Sequence, residues 1–177
     1  MAGGISLVST GLFSRQCIAA AGLALAVTPL VARADNCGAI LAAYQALAKA
    51  PSYSQTVTMA GMPDMKAIVI DETVYAHDGD AWTRIALKSG GRAGMLAQFV
   101  PDAGSLSDCR SAGADEILGK AMSTYTYVPP VPEGMEQFAP KDPKQKVWIG
   151  DADGLPYRMT AEGLDVVISY EAVVPPI

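Results

Sequence analysis

The sequence predicts an α+β fold: one helix, then seven or eight antiparallel strands, with a single short helical insert. Three observations carry this expectation. The stretch CGAILAAYQALAKA, Cys37 to Ala50, has a helical period, and almost everything after Pro51 alternates with a period of two between turn signals. Lys88 to Gly94 then interrupts the alternation with three glycines.

The elements follow in order. Asp35 and Asn36 are residue types that cap helices, and beyond them Ile40, Leu41, Tyr44, Leu47 and Ala48 share one face until Pro51 ends the run. Tyr53 to Met59 is rich in β-branched and aromatic residues, Gly61-Met62-Pro63-Asp64 is a turn cluster, and Lys66 to Ile70 returns as a second strand. Glu72 to His77 and Ala81 to Ile85 flank the turn Asp78-Gly79-Asp80. Met95 to Val100 predicts a short helix ended by Pro101, and residues 102 to 115 are expected to form a loop carrying Cys109. Strands resume from Glu116 to Val128, weakly at 133 to 140, and again at 144 to 150, 155 to 161 and 164 to 172.

The first 34 residues read as an export signal. The apolar run Ile18 to Val31 ends at Ala32-Arg33-Ala34, an A-x-A cleavage pattern, and is shorter than the roughly 20 residues that span a bilayer. A lone arginine in Ser14-Arg15-Gln16 favours export of the unfolded chain over the twin-arginine route, and neither Cys17 nor Cys37 follows a lipobox. A periplasmic protein without stable membrane insertion is therefore expected, with residues 35–177 forming one domain. Loss of Arg15 and Arg33 takes the formal charge from −5 to −7, which argues against binding nucleic acid by charge. Two cysteines remain, Cys37 and Cys109, and an even count in an exported chain predicts a disulfide between them.

Little in the sequence points to chemistry. From Asp151, a calcium loop of the EF-hand kind would find Asp153 and Glu162 at its third and twelfth positions, but Leu155 and Pro156 occupy the fifth and sixth. Asp153-Gly154 between Val147-Trp148-Ile149 and Tyr157-Arg158-Met159 reads instead as a hairpin turn. His77, the single histidine, has no nucleophile motif beside it and reads as a strand-end surface residue, and no G-x-S-x-G, H-E-x-x-H or phosphate loop occurs. Glu72, Asp78, Asp80, Asp151 and Asp153 would serve a hydrolase only if two of them faced each other across a cleft, and turn roles account for all five. Trp82 and Trp148 read as core anchors. Two readings stand for Met59, Met62, Met65, Met95, Met122 and Met159: an adaptable apolar lining, or ordinary core and surface positions. No metal and no cofactor are expected.

Trp148-Ile149 followed by Asp153-Gly154-Leu155-Pro156-Tyr157-Arg158 resembles the WI…GLPvR hairpin of the LolA-like periplasmic lipoprotein-carrier superfamily. Tyr75 with Gly79-Asp80-Ala81-Trp82 is similar to its tyrosine, glycine and tryptophan hairpin, and Gly119 with Tyr125-Thr126-Tyr127 to its central strand. The similarity runs from about Cys37 to Tyr170. It implies a strongly curved antiparallel half-barrel whose open face is closed by a helix-bearing lid, here the helix at 37 to 50 and Met95 to Val100. The carriers' first strand bears an arginine that latches the lid, and Ser52 to Met59 contains none. The expected cavity lining is Met59, Met65, Ile68, Met95, Leu96, Phe99, Met122 and Met159.

The expected function is therefore non-enzymatic: binding of a lipid, acyl chain or lipoprotein-like apolar ligand for carriage or sensing. The alternative is an envelope-assembly module with a self-filled core that recognises a partner protein, and a hydrolase stands third.

Overall fold

The computed structural model describes residues 32–77, 79–87, 90–97, 103–131, 134, 137, 140–171 and 173–177. Helix α1 spans Ala32–Lys49. It already runs through Ala32, Arg33 and Ala34, ahead of the Asp35-Asn36 pair, since all three are strong helix formers. Four strands follow, β1 (Ser52–Met59), β2 (Met65–Ile70), β3 (Thr73–His77) and β4 (Trp82–Ala86), and then helix α2 (Gly91–Ala97). A 3₁₀ turn at Ala103–Ser105 leads to β5 (Ser107–Ile117), β6 (Lys120–Val128), β7 (Gln145–Gly150), β8 (Pro156–Ala161) and β9 (Leu164–Ser169).

The nine strands form one curved, unclosed antiparallel sheet in the order β4-β3-β2-β1-β9-β8-β7-β6-β5. Each half is a meander of hairpins, and the one non-sequential pairing, β1 with β9, joins the halves through Val57 opposite Val166 and Gln55 opposite Ile168. The strands β4 and β5 remain as free edges.

One face of the sheet carries α1. Ile40 and Ala43 pack with Leu106, Cys109, Tyr127, Val147 and Ile149, and one to two turns later Leu47 and Ala50 pack with Tyr53, Val69, Val166 and Ile168. The opposite face has its own smaller cluster of Met122, Trp148 and Tyr157. Strand alternation then assigns the remaining side chains. Gln55, Val57 and Met59 share the helix-bearing face with Tyr53, and Ala67 and Met65 share it with Val69.

Two sequence expectations change. Residues 102–115 were expected as a loop, but Ser107–Ile117 is the edge strand β5, paired with β6 through two register shifts. Its signature is missing because almost all its side chains are exposed on both faces and only Cys109 is buried, so no alternation is written into SDCRSAGADEI. The β5–β6 turn is Leu118-Gly119, both at positive φ, where a leucine gives no turn signal. The short helix expected at Met95–Val100 begins earlier, at Gly91, and residues 98–100 lie outside the described part. The weak strand expected at 133–140 falls mostly outside the described residues.

Candidate functional site

Among the described residues, the helix-bearing face is only partly covered. Helix α1 lies over β5 to β8 and ends above Tyr53, and α2 packs against α1. Beyond that cover, the same face opens over β1, β2 and β3 into a cavity of about 220 Å³. Gln55, Val57, Met65, Ala67 and Ala76 line it, with Lys66 and His77 completing the wall. The five are set side by side by register: Gln55 opposite Ala67, Val57 opposite Met65, and Ala67 opposite Ala76. Two alanines leave the space, and valine and methionine make it apolar.

Helix α2 is docked by two polar contacts. Glu72, in the β2–β3 turn, accepts the Arg92 backbone N–H on Oε2 at 3.2 Å, placing a carboxylate against the first turn of the helix. Gly91 sits at φ +52° directly beside that carboxylate, which a Cβ there would strike. The Arg92 side chain is 7% exposed, and its Nη1 donates to the carbonyl of Ala50 at the end of α1. Its Nε is buried with no hydrogen-bond partner among the described residues. Burial raises the pKa of the neighbouring Tyr53 phenol, and the Arg92 charge works against that rise.

A buried network holds α1 on the sheet. Tyr127 Oη donates to Gln145 Oε1 at 2.7 Å, which leaves the one Tyr44 hydroxyl hydrogen shared between the Tyr127 oxygen at 2.7 Å and Met159 Sδ at 3.0 Å. Burial pushes the Tyr44 phenol up to about 12 and raises the Tyr127 phenol further. At the start of α1, a disulfide joins Cys37 to Cys109 on β5, with Cα atoms 5.3 Å apart.

The expected cavity residues do not gather in one place. Met65 lines the opening, and Met59 lies two residues beyond Val57 on the same face. Met159 is on that face too, engaged with Tyr44 and packed beside Leu47 and Val166. Ile68 alternates to the opposite face, and Met122 is fully buried there against Trp148 and Tyr157. Met95 is half-buried on α2, while the Leu96 side chain and Phe99 lie outside the described residues. Gln55, Ala67, Ala76 and Arg92 were not anticipated; the alternation of β1 and β2 with Tyr53 and Val69 held the signal for the first two.

Trp148 belongs to the opposite face. Its Nε1 donates to Asp115 Oδ2 at 2.8 Å, which holds that carboxyl below its ordinary pKa, and Lys146 Nζ stands 4.3 Å from the ring centroid. Arg158 sits over the same ring and grips Asp165 through two hydrogen bonds of 3.0 and 2.6 Å. In the β7–β8 connection, Asp153 Oδ1 accepts the Leu155 N–H and its Oδ2 accepts the Tyr157 hydroxyl, so this carboxylate organises the turn. Among the described residues no group of three or more His, Cys, Asp or Glu side chains stands together in a way that would hold a metal, and no helix is long and apolar enough to cross a membrane.

No protein-family model matches the sequence, and no curated protein matches it. Solved structures do. The lipoprotein LppX of Mycobacterium tuberculosis superposes with a TM-score of 0.51 at 14% identity, over 79% of this chain and 97% of that one. LprF of Mycobacterium bovis gives 0.49 at 14% identity, over 81% and 96%. The MucA/MucB complex of Pseudomonas aeruginosa gives 0.46 at 16% identity, over 80% and 59%. At these identities the likeness is one of fold alone: a curved, unclosed antiparallel sheet with helices against one face.

Proposed function

We propose that this chain is an exported periplasmic protein of one domain, residues 35–177, that binds a lipid, acyl chain or lipoprotein-like apolar ligand and carries or senses it without catalysing a reaction. The observation that carries the reading is the uncovered apolar stretch of the helix-bearing face over β1, β2 and β3. Among the described residues, both helices stop short of this stretch. The fold shared with the lipoprotein LppX supports the same reading. Burial of ligand methylenes, about 0.8 kcal/mol each, supplies the driving force. An envelope protein that delivers or receives the ligand is the partner this function requires.

Native mass spectrometry of the protein purified from a periplasmic extract, with solvent extraction of whatever is bound, tests the proposal. An adduct that extracts as a lipid or fatty acid is expected. A bare mass that stays bare after incubation with phospholipid vesicles contradicts it, and a co-purifying polypeptide in place of lipid favours a protein-binding module.

A further inference from the structure

Resting on that reading of the opening as a ligand site, we infer that it takes a single unbranched hydrocarbon chain of about eight carbons and excludes lipids that must bury two or three chains. Space decides this. The opening holds about 220 Å³. An apolar cavity of about 150 Å³ takes one six-carbon aromatic ring, a scale on which the opening takes about eight or nine carbons.

The walls explain why the space ends where it does. The pair Tyr53 and Val69, next along from Gln55 and Ala67, is packed under the end of α1 and closes the inner end. Met65, 37% exposed, stands at the outer end and opens to solvent. The floor is a patch three strands wide whose depth comes from Ala67 and its cross-strand partner Ala76. A chain entering past Met65 therefore meets a buried tyrosine after about eight carbons, and a second chain finds no remaining depth. The Gln55 amide gives this apolar patch one side-chain donor and acceptor, enough to fix a ligand's orientation.

The test is a chain-length series. Saturated fatty acids of six to sixteen carbons, below their micellar concentrations, are titrated calorimetrically into protein stripped of bound lipid, alongside dispersed diacylglycerol. Affinity rises about fourfold per carbon up to about eight carbons and then levels off. In Ala76→Leu the plateau moves about three carbons shorter, since the new side chain fills that space; Ala67→Leu provides the same readout should the first variant fail to fold. Affinity still climbing at fourteen carbons, or diacylglycerol binding tighter than octanoate, overturns the single-chain inference and leaves the binding reading intact. Absence of binding by every chain removes both.

Discussion

Arg92 is the residue with the most to lose. Its guanidinium is buried on α2, donates to Ala50 at the end of α1 and carries an Nε without a partner among the described residues. Arg92→Ala removes the donor and the packing of its stem, and is expected to lower stability by about 1–3 kcal/mol in urea unfolding. Gly91→Ala adds a side chain at φ +52° against the Glu72 carboxylate, and is expected to lower stability by about 1–3 kcal/mol or to expel α2 from its site. Loss of Arg92 protection with no stability change, seen by limited proteolysis, would mark the second outcome. At this scale the sequence was least legible. Arg92 lies in Gly90-Gly91-Arg92-Ala93-Gly94, which reads as a loop, and only the approach of Ala50 makes it buried. Met65 and Met122 look alike in sequence, yet one lines the opening and the other fills the opposite cluster, since the face each takes depends on strand register.

At the scale of elements, α1 is held by the disulfide at its start and the tyrosine network at its middle. The bridge spans a sequence separation of 72, for which the chain-entropy model gives about 4 kcal/mol. The paired substitution Cys37→Ala and Cys109→Ala is expected to lower the unfolding free energy by about that amount, measured by urea denaturation of the protein and the variant side by side. Tyr127→Phe removes the donor to the half-buried Gln145 Oε1, and a loss of about 1 kcal/mol is expected by the same measurement. The elements with a half-buried pattern were legible: α1 through Ile40 and Leu47, the β7–β8 hairpin through Asp153-Gly154, and β9 through Val166 and Ile168. The disulfide was legible from cysteine count alone. Strand β5 was not, because an edge strand exposed on both sides has no buried face to imprint a period on its sequence.

For the whole molecule, the buried phenols set an upper pH limit. The folded state holds the Tyr44 proton up to about pH 12 and the Tyr127 proton higher, whereas an unfolded chain releases both near pH 10. Their contribution is therefore complete below pH 10 and declines as pH rises above it, that of Tyr44 being lost by about pH 12 and that of Tyr127 continuing to fall beyond, by up to about 1.4 kcal/mol per pH unit for each phenol. Urea midpoints at pH 9, 10 and 11 are expected to stay level over the first step and fall over the second, less steeply in Tyr127→Phe. The general plan, one helix and a long antiparallel sheet, was legible in the periodicity, and the curvature came through the hairpin resemblance. The opening over β1 to β3 was not, because it depends on where α1 ends and on what α2 leaves uncovered.

The methionines of residues 35–177, seven of the eight in the sequence, make that opening directly observable. With methionine methyl groups labelled with carbon-13, two-dimensional NMR during titration with octanoate is expected to move the Met65 signal strongly and to leave the buried Met122 signal where it was. A Met65 signal that stays fixed while Met122 or Met159 moves would place the ligand elsewhere and contradict a binding site on the uncovered face of the sheet.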